Sequence, residues 1–171
     1  MPRLVDLGVT RWDWVPGDSP FADPSHPTVA EMSQSGAVNL SPYVVTTSTM
    51  NATASDTVNE RSIAETANVV VPTVANYEGT LTLFRDYDAG VPTENDPFDL
   101  FTEAGIFGWL VRRLGKPSDA VHAADDRVDV FKVMTDNPQA SGGAGDGYLK
   151  VTVPMLQQGF MRLNTTIGAG A

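Results

Sequence analysis

The residues whose types could do chemistry are few. They are two histidines, some paired aspartates, a glycine-rich loop and scattered serines. His26 lies in a proline-rich stretch and His122 in an alanine-rich one. Neither has the His-Glu-x-x-His type of spacing that places two imidazoles on one metal. Asp86 with Asp88, and Asp125 with Asp126, could attract a cation weakly, but no oxygen-rich loop of calcium-site length surrounds them. Paired carboxylates can carry acid–base work, yet no pair here stands beside aromatic platforms at a readable spacing. The serines lack a Gly-x-Ser-x-Gly elbow. The run Ala140–Gly147 invites a phosphate, but a phosphate loop needs a strand before it, a helix after it and a Gly-Lys-Ser/Thr ending. Here a strand follows and the lysine is missing, so the run reads as a connection between strands. The sequence predicts no catalytic residue, no cofactor and no metal.

The elements that would have to position such groups are mostly strands. Gly79–Tyr87 alternates Leu81 and Leu83 with Thr80, Thr82 and Phe84, the pattern of a strand with one face on a core. Arg127–Met134 is similar. Between them, Asp96 and Pro97 start a helix, and two readings of 97–114 stand open. Leu100, Ala104, Phe107, Val111 and Leu114 share a helical stripe, but Gly105 and Gly108 interrupt it at about 1 kcal/mol each. The alternative is a short helix over 97–104 and a strand over 106–113, apolar on both faces and hence buried or at an interface. The glycine falls where a helix should stop, which favours the second.

Toward the N-terminus, Trp12 and Trp14 sit at strand spacing. They pack on the chain's own core or form an arm that docks on a neighbouring subunit, where tryptophan is favoured. A proline-stiffened loop follows. Thr28 and Glu31 fit a capping box for a helix through Gln34, and Ala37–Thr46 reads as a strand interrupted by Pro42. Residues 46–59 are rich in threonine, serine and small residues. Flanked by strands over 43–50 and 64–71, they read as a long, poorly buried connection, either a loose surface loop or one that orders against a partner. Tyr148–Val153 is a strand, Gly159–Thr166 a last strand or arm, and Ile167–Ala171 a tail mobile on its own.

Composition sets the outer bounds. The chain is 42% apolar, without cysteine, and carries a formal net charge of −10. Residues 1–100 hold 14 acids and 4 bases, and residues 101–171 hold 7 of each. Such a chain should repel a phosphate backbone, which serves solubility or a surface that nucleic acid must pass without sticking. No apolar run approaches the roughly 20 residues of a membrane span, and no signal-peptide core opens the chain. The expectation is a chain made and used without crossing or entering a membrane. Strands with turns between them and no βαβ alternation give a mainly β fold, a β-sandwich or partial barrel flanked by a short helix, with a long loop and extended terminal arms. One domain is expected over 1–171, comprising an N-terminal arm and loop over 1–27, a β-rich body over 28–166 with the long loop 46–76, and a C-terminal tail over 167–171.

A set of segments in order adds to this: Val9-Thr-Arg-Trp-Asp-Trp-Val-Pro16, Pro27-Thr-Val-Ala-Glu-Met32, Val58-Asn-Glu-Arg61, Tyr77-Glu-Gly-Thr-Leu-Thr-Leu-Phe-Arg85, Gly108-Trp-Leu-Val-Arg-Arg-Leu-Gly115 and Asp126-Arg-Val-Asp-Val-Phe-Lys-Val133. Together they resemble the major tail (tail tube) proteins of long-tailed, siphovirus-type bacteriophages, especially of actinobacterial hosts. The resemblance implies a structural virion protein, assembled in the host cytoplasm, that forms six-membered rings stacking into a tube. It implies a tape-measure protein and the tail-terminator and distal tail proteins as partners, and a lumen that DNA traverses without specific binding. It transfers no catalytic residue and favours the short-helix reading of 97–113. Trp12, Trp14, Met50, Asn51, Arg61, Trp109 and Ile167 are the expected inter-subunit contacts, with the 46–76 region and both termini between rings. Removing 48–58 is expected to block tube growth and spare the fold. The rivals are a carbohydrate- or receptor-binding β-sandwich using its tryptophans as a platform, and a head decoration or head–tail connector protein.

Overall fold

The computed structural model describes residues 8–64, 66–85, 97–141 and 147–170. Eight strands form one antiparallel sheet. In chain order they are β1 (Thr10–Pro16), β2 (Val38–Asn39), β3 (Thr49–Val58), β4 (Val71–Phe84), β5 (Phe107–Leu114), β6 (Arg127–Thr135), β7 (Gln139–Ser141) and β8 (Lys150–Thr166). In space the order is β2-β1-β5-β6-β8-β4-β3, with β7 taking the edge of β8 that β6 leaves. The fold is mainly β and of the sandwich or partial-barrel kind.

Strands β1, β5 and β6 carry apolar residues on both faces, and both faces are covered. Trp12, Trp14, Leu110, Phe131 and Val133 meet Leu81, Leu83, Val151, Val153 and Met155 of β4 and β8, so the sheet closes over one core. Val15, Trp109, Val111, Val128 and Val130 face the other way, onto Phe21, Met32 and Ile167. The short helix α1 (Val29–Met32) supplies Met32 to this second core. Its start follows the expected capping box: the Glu31 N–H donates to Thr28 Oγ1 at 3.3 Å, and the Thr28 N–H donates to Glu31 Oε2 at 2.8 Å.

Of the two readings of 97–114, short helix plus strand holds. A 3₁₀ helix covers Pro97–Phe101 and β5 begins at Phe107. The glycines that break the helical pattern have physical jobs here. Gly105 adopts φ +91° in the turn before β5, a left-handed conformation that side chains resist. At Gly108 a Cβ would sit 2.2 Å from the Trp14 ring, so the indole lies on bare backbone.

Other expectations need correction. The first segment is no free arm from Thr10 on: all seven residues of β1 pair with β5, Thr10 opposite Leu114 and Pro16 opposite Gly108. Most of the connection expected over 46–59 is strand β3, while of the strand expected over 64–71 only Val71 is in a strand among the described residues. The alternation around Leu81 marks only the end of β4, which begins eight residues before Gly79. The strand expected over 37–46 shrinks to Val38–Asn39. The two last strands are one, β8, which keeps pairing with β6 across two irregularities. At these Gly159 takes φ +76° and Asn164 φ +54°, as bulged strands do. Ile167 is 1% exposed, and its N–H donates to the Asp126 carbonyl at 2.9 Å, so the tail starts tied down. The pair Asp86 and Asp88, and most of the glycine-rich run (142–146), lie outside the described residues.

Candidate assembly surfaces

Strand β4 explains the most exposed element. Its second half, Gly79–Phe84, pairs with β8 on one side, and on the other β3 pairs with Gly79 and Thr80. Its first half has only β3 for a neighbour, so residues 53–58 and 71–76 form a two-stranded ribbon that leaves the sheet as an arm. A ribbon without a third strand is marginal in water. Local bonds hold this one: Thr73 Oγ1 donates to the Asp56 carbonyl at 3.0 Å, and Asn76 Nδ2 to the Ala54 carbonyl at 3.2 Å and to Asp56 Oδ1 at 3.1 Å. Val58, Ile63, Val69, Val70, Val71 and Val74 are all exposed, Ile63 completely. Exposed valines gathered at the open end of a two-stranded ribbon are an association surface.

The arm is rooted firmly. Met50, just inside its base, is fully buried. A Cβ at Gly79 would stand 2.4 Å from the Thr49 carbonyl oxygen and 2.7 Å from the Met50 sulfur, so close crossing of β3 and β4 requires glycine there. Arg112 ties the root to the body. Its guanidinium donates to the Met50 carbonyl at 3.1 Å and to Asp129 Oδ2 at 2.7 Å, and it lies 5.5 Å from the Trp12 ring. Removing 48–58 therefore strikes the core through Met50, and residues 59–70 are the part that can be shortened without touching a strand.

Tyr77, where the arm enters the body, is buried. Its hydroxyl donates to the Lys132 carbonyl and accepts from the Gln158 N–H at 2.7 Å. Burial raises its pKa against the opposing pull of the 158–160 backbone amides.

A second polar centre lies inside the fold. Asp13, 2% exposed between the two tryptophans of β1, accepts from Arg11 Nη2 at 2.8 Å and faces His122 Nε2 at 2.9 Å. Arg113, 1% exposed, donates to the carbonyls of Pro117 and Ala120, both at 2.8 Å, and to Asp126 Oδ2 at 3.1 Å. Lys116 also pairs with Asp126. These charges wrap the loop 115–126 onto β1 and β5. Burial alone pushes the Asp126 carboxyl up; the Lys116 ammonium, the Ala123 N–H and Arg113 outweigh it and hold the pKa below the ordinary aspartate value. The cluster does structural work: His122 Nδ1 is buried and meets no hydrogen-bond partner among the described residues, so nothing stands where the Asp–His pair could activate a nucleophile. Among the described residues no group of three or more His, Asp or Glu is placed to hold a metal ion. Sequence reading passed over this centre. Its signal was a charged residue inside an apolar strand, Asp13 between Trp12 and Trp14 and Arg113 after Trp109-Leu-Val.

The residues expected at subunit contacts divide sharply. Trp12, Trp14, Met50, Trp109 and Ile167 are 7%, 1%, 0%, 3% and 1% exposed. Their side chains fill this chain's own two cores, where large apolar groups gain most from leaving water. Trp109 is held edge-on by Phe21 with ring centroids 5.3 Å apart, and its Nε1–H donates to the Asp18 carbonyl at 3.3 Å. Buried tryptophans also remove the platform that the carbohydrate-binding rival required. Asn51 and Arg61 are exposed, on the arm's root and tip.

An antiparallel sheet closed over one core, with a ribbon thrown out from one end, is the architecture of a subunit built to associate. The family model for phage tail tube protein matches residues 1–170, and the chain belongs to that family. It is a structural component of a phage tail. Among solved structures, a chain of the anti-feeding prophage (AFP) baseplate, determined by cryo-electron microscopy and 6-fold symmetrised, is similar in fold over 100% of both chains, with a TM-score of 0.55 and 13% identity. No curated protein matches the chain. Among the described residues, no helix is long and apolar enough to cross a membrane.

Proposed function

We propose that this chain forms the tube of a long, siphovirus-type phage tail by closing into six-membered rings and stacking those rings into a channel. The observation that carries this reading is the β3–β4 arm, an exposed apolar ribbon projecting from a well-filled body. The six-fold symmetrised assembly containing the similar solved chain supports a ring of six. Within a ring, the outer edges of β2 and β3, the sheet's two ends among the described residues, are places where a neighbour can add strands. Between rings, the contact is heterologous and does not close along the axis, so growth is filamentous. The arm, with Asn51 at its root and Arg61 near its tip, is the contact segment.

The channel passes DNA without binding it. The 21 acids against 11 bases support a wall that repels phosphate. A tape-measure protein and the terminator and distal proteins of the tail are the partners of this reading, and assembly takes place in the host cytoplasm. Negative-stain electron microscopy of the purified chain at low and high concentration tests it. Stacked rings or tubes with a central channel are expected at high concentration. Replacing 59–70 with a short turn should leave rings and remove tubes. Particles of one small fixed size at every concentration would point instead to a decoration or connector protein.

A further inference from the structure

We propose that the concave patch lined by Tyr43, Phe84, Arg85 and Tyr148, and flanked by Leu149 and Lys150, is the acceptor for the β3–β4 arm of a second copy of this chain. The inference rests on the tube reading and names the surface it requires. The patch is a concavity of about 300 Å³ lined by Tyr43, Phe84, Arg85 and Tyr148. Tyr148 is 78% exposed and Leu149 56%. The Phe84 and Tyr148 rings meet edge-on at 5.7 Å, and Lys150 Nζ stands 5.9 Å from the Phe84 ring. Aromatic rings, an exposed leucine and the Lys150 ammonium make a surface that takes an apolar, acidic partner.

The arm has that composition. Its exposed large side chains are five valines and Ile63. By sequence residues 51–76 carry Asp56, Glu60 and Glu65 against Arg61. Placement adds the second argument. The patch is built where β4 ends: Phe84 pairs with Lys150, its N–H donates to the Tyr43 carbonyl at 2.8 Å, and the Arg85 N–H donates to the Leu149 carbonyl at 2.9 Å. The arm is where β4 begins, at Val71. Donor and acceptor thus lie at opposite ends of one 14-residue strand, about 43 Å apart at the usual rise per residue. The ribbon continues β4 away from the patch, so one chain cannot bring its own arm to its own patch without breaking that strand. A copy displaced along β4 brings arm to patch and leaves a free arm and a free patch for the next, which makes an open series.

Site-directed crosslinking tests this. Tyr148 is replaced by the photoreactive residue p-benzoylphenylalanine, isotope-labelled and unlabelled copies are mixed, and assemblies formed at high concentration are irradiated and digested. The expected product joins position 148 to arm peptides within 58–74, in mixed-isotope pairs. Mixed pairs that lack the arm, or links confined to one copy, would overturn the acceptor. In parallel, Leu149→Ser with Lys150→Glu should cut tube yield at least about tenfold with an unchanged melting temperature, since Leu149 is exposed and Lys150 half-buried. Normal tubes from that variant would overturn the acceptor and leave the tube reading standing. A parent chain that forms neither rings nor tubes at any concentration would overturn both.

Discussion

The apolar residues of strand β5 and those of the β3–β4 arm meet opposite fates. β5 has a strand on each side and a core on each face, so Trp109, Leu110 and Val111 are buried by their own chain. The arm's valines have one neighbouring strand and no core, so they stay in water. Burial in β5 is complete within the subunit, whereas burial in the arm needs another molecule. The same hydrophobic effect thus stabilises the fold in one region and is held over for assembly in the other.

The widest separation of the two regions comes from paired substitutions. Trp14→Ala removes an indole that is 1% exposed, stands 5.0 Å edge-on from Phe101 and covers Gly108. It should cost about 3–5 kcal/mol in urea or thermal unfolding, the range for large-to-small core changes. Val69, Val70 and Val74 changed together to serine should move stability by only about 0.5 kcal/mol per site and abolish tubes. Equal losses of stability in the two variants would mean that the arm is covered within the monomer and that the contrast is false.

That contrast also explains which parts of the molecule could be read from the sequence. β5 and β6 were legible because a strand buried on both faces leaves a dense apolar run bounded by Gly105, Gly115 and Asp126. The capping box at Thr28 was legible because its two residues act on each other at short range. The arm was not. Its β3 half is mostly threonine, serine and alanine, small residues that pair by backbone but carry no alternation of large apolar side chains. Its β4 half falls inside the loop expected over 46–76, although Val71–Asn76 pairs with β3, and Pro72 is tolerated on a ribbon with one open side. The burial of Trp12, Trp14, Met50, Trp109 and Ile167 in this chain's own cores was hidden for a related reason. Tryptophan types were readable, but whether a tryptophan faces its own core or a neighbour depends on pairing between residues far apart in sequence, as Trp14 opposite Leu110 shows. The Asp13–His122 and Arg113–Asp126 pairs were hidden in the same way.

The buried charges sharpen the comparison through pH. The Asp126 pKa is depressed in the fold, so its contribution to stability is fully present above the unfolded value near 3.8 and is lost as pH falls through the folded one. Acidification should therefore loosen the body, where loop 115–126 is held, through loss of this pairing. Asp126→Asn should cost about 1.5–3 kcal/mol at neutral pH, the scale of hydrogen bonds to charged groups, and flatten the acid limb of a melting-temperature profile. An unchanged acid limb would assign the loss to other carboxylates.

The smallest expected effect lies at the seam between the body and the covering loop. Thr28 caps α1, and its neighbours anchor the C-terminal tail: the Val29 N–H donates to the Gly168 carbonyl at 3.1 Å and the Gly168 N–H to the Pro27 carbonyl at 2.9 Å. Glu31 completes the box and also accepts from the Ala22 N–H at 2.7 Å, bonds that outweigh burial and lower its pKa. Thr28→Ala removes one acceptor from the first turn and should cost about 1 kcal/mol. The loss should appear with faster hydrogen exchange at Val29 and Gly168 and with no change at the arm amides of 71–76. Faster exchange in the arm as well would show that the second core and the ribbon are coupled. The arm would then be a movable part of the body, and its assembly would depend on how well the far side of the sheet is closed.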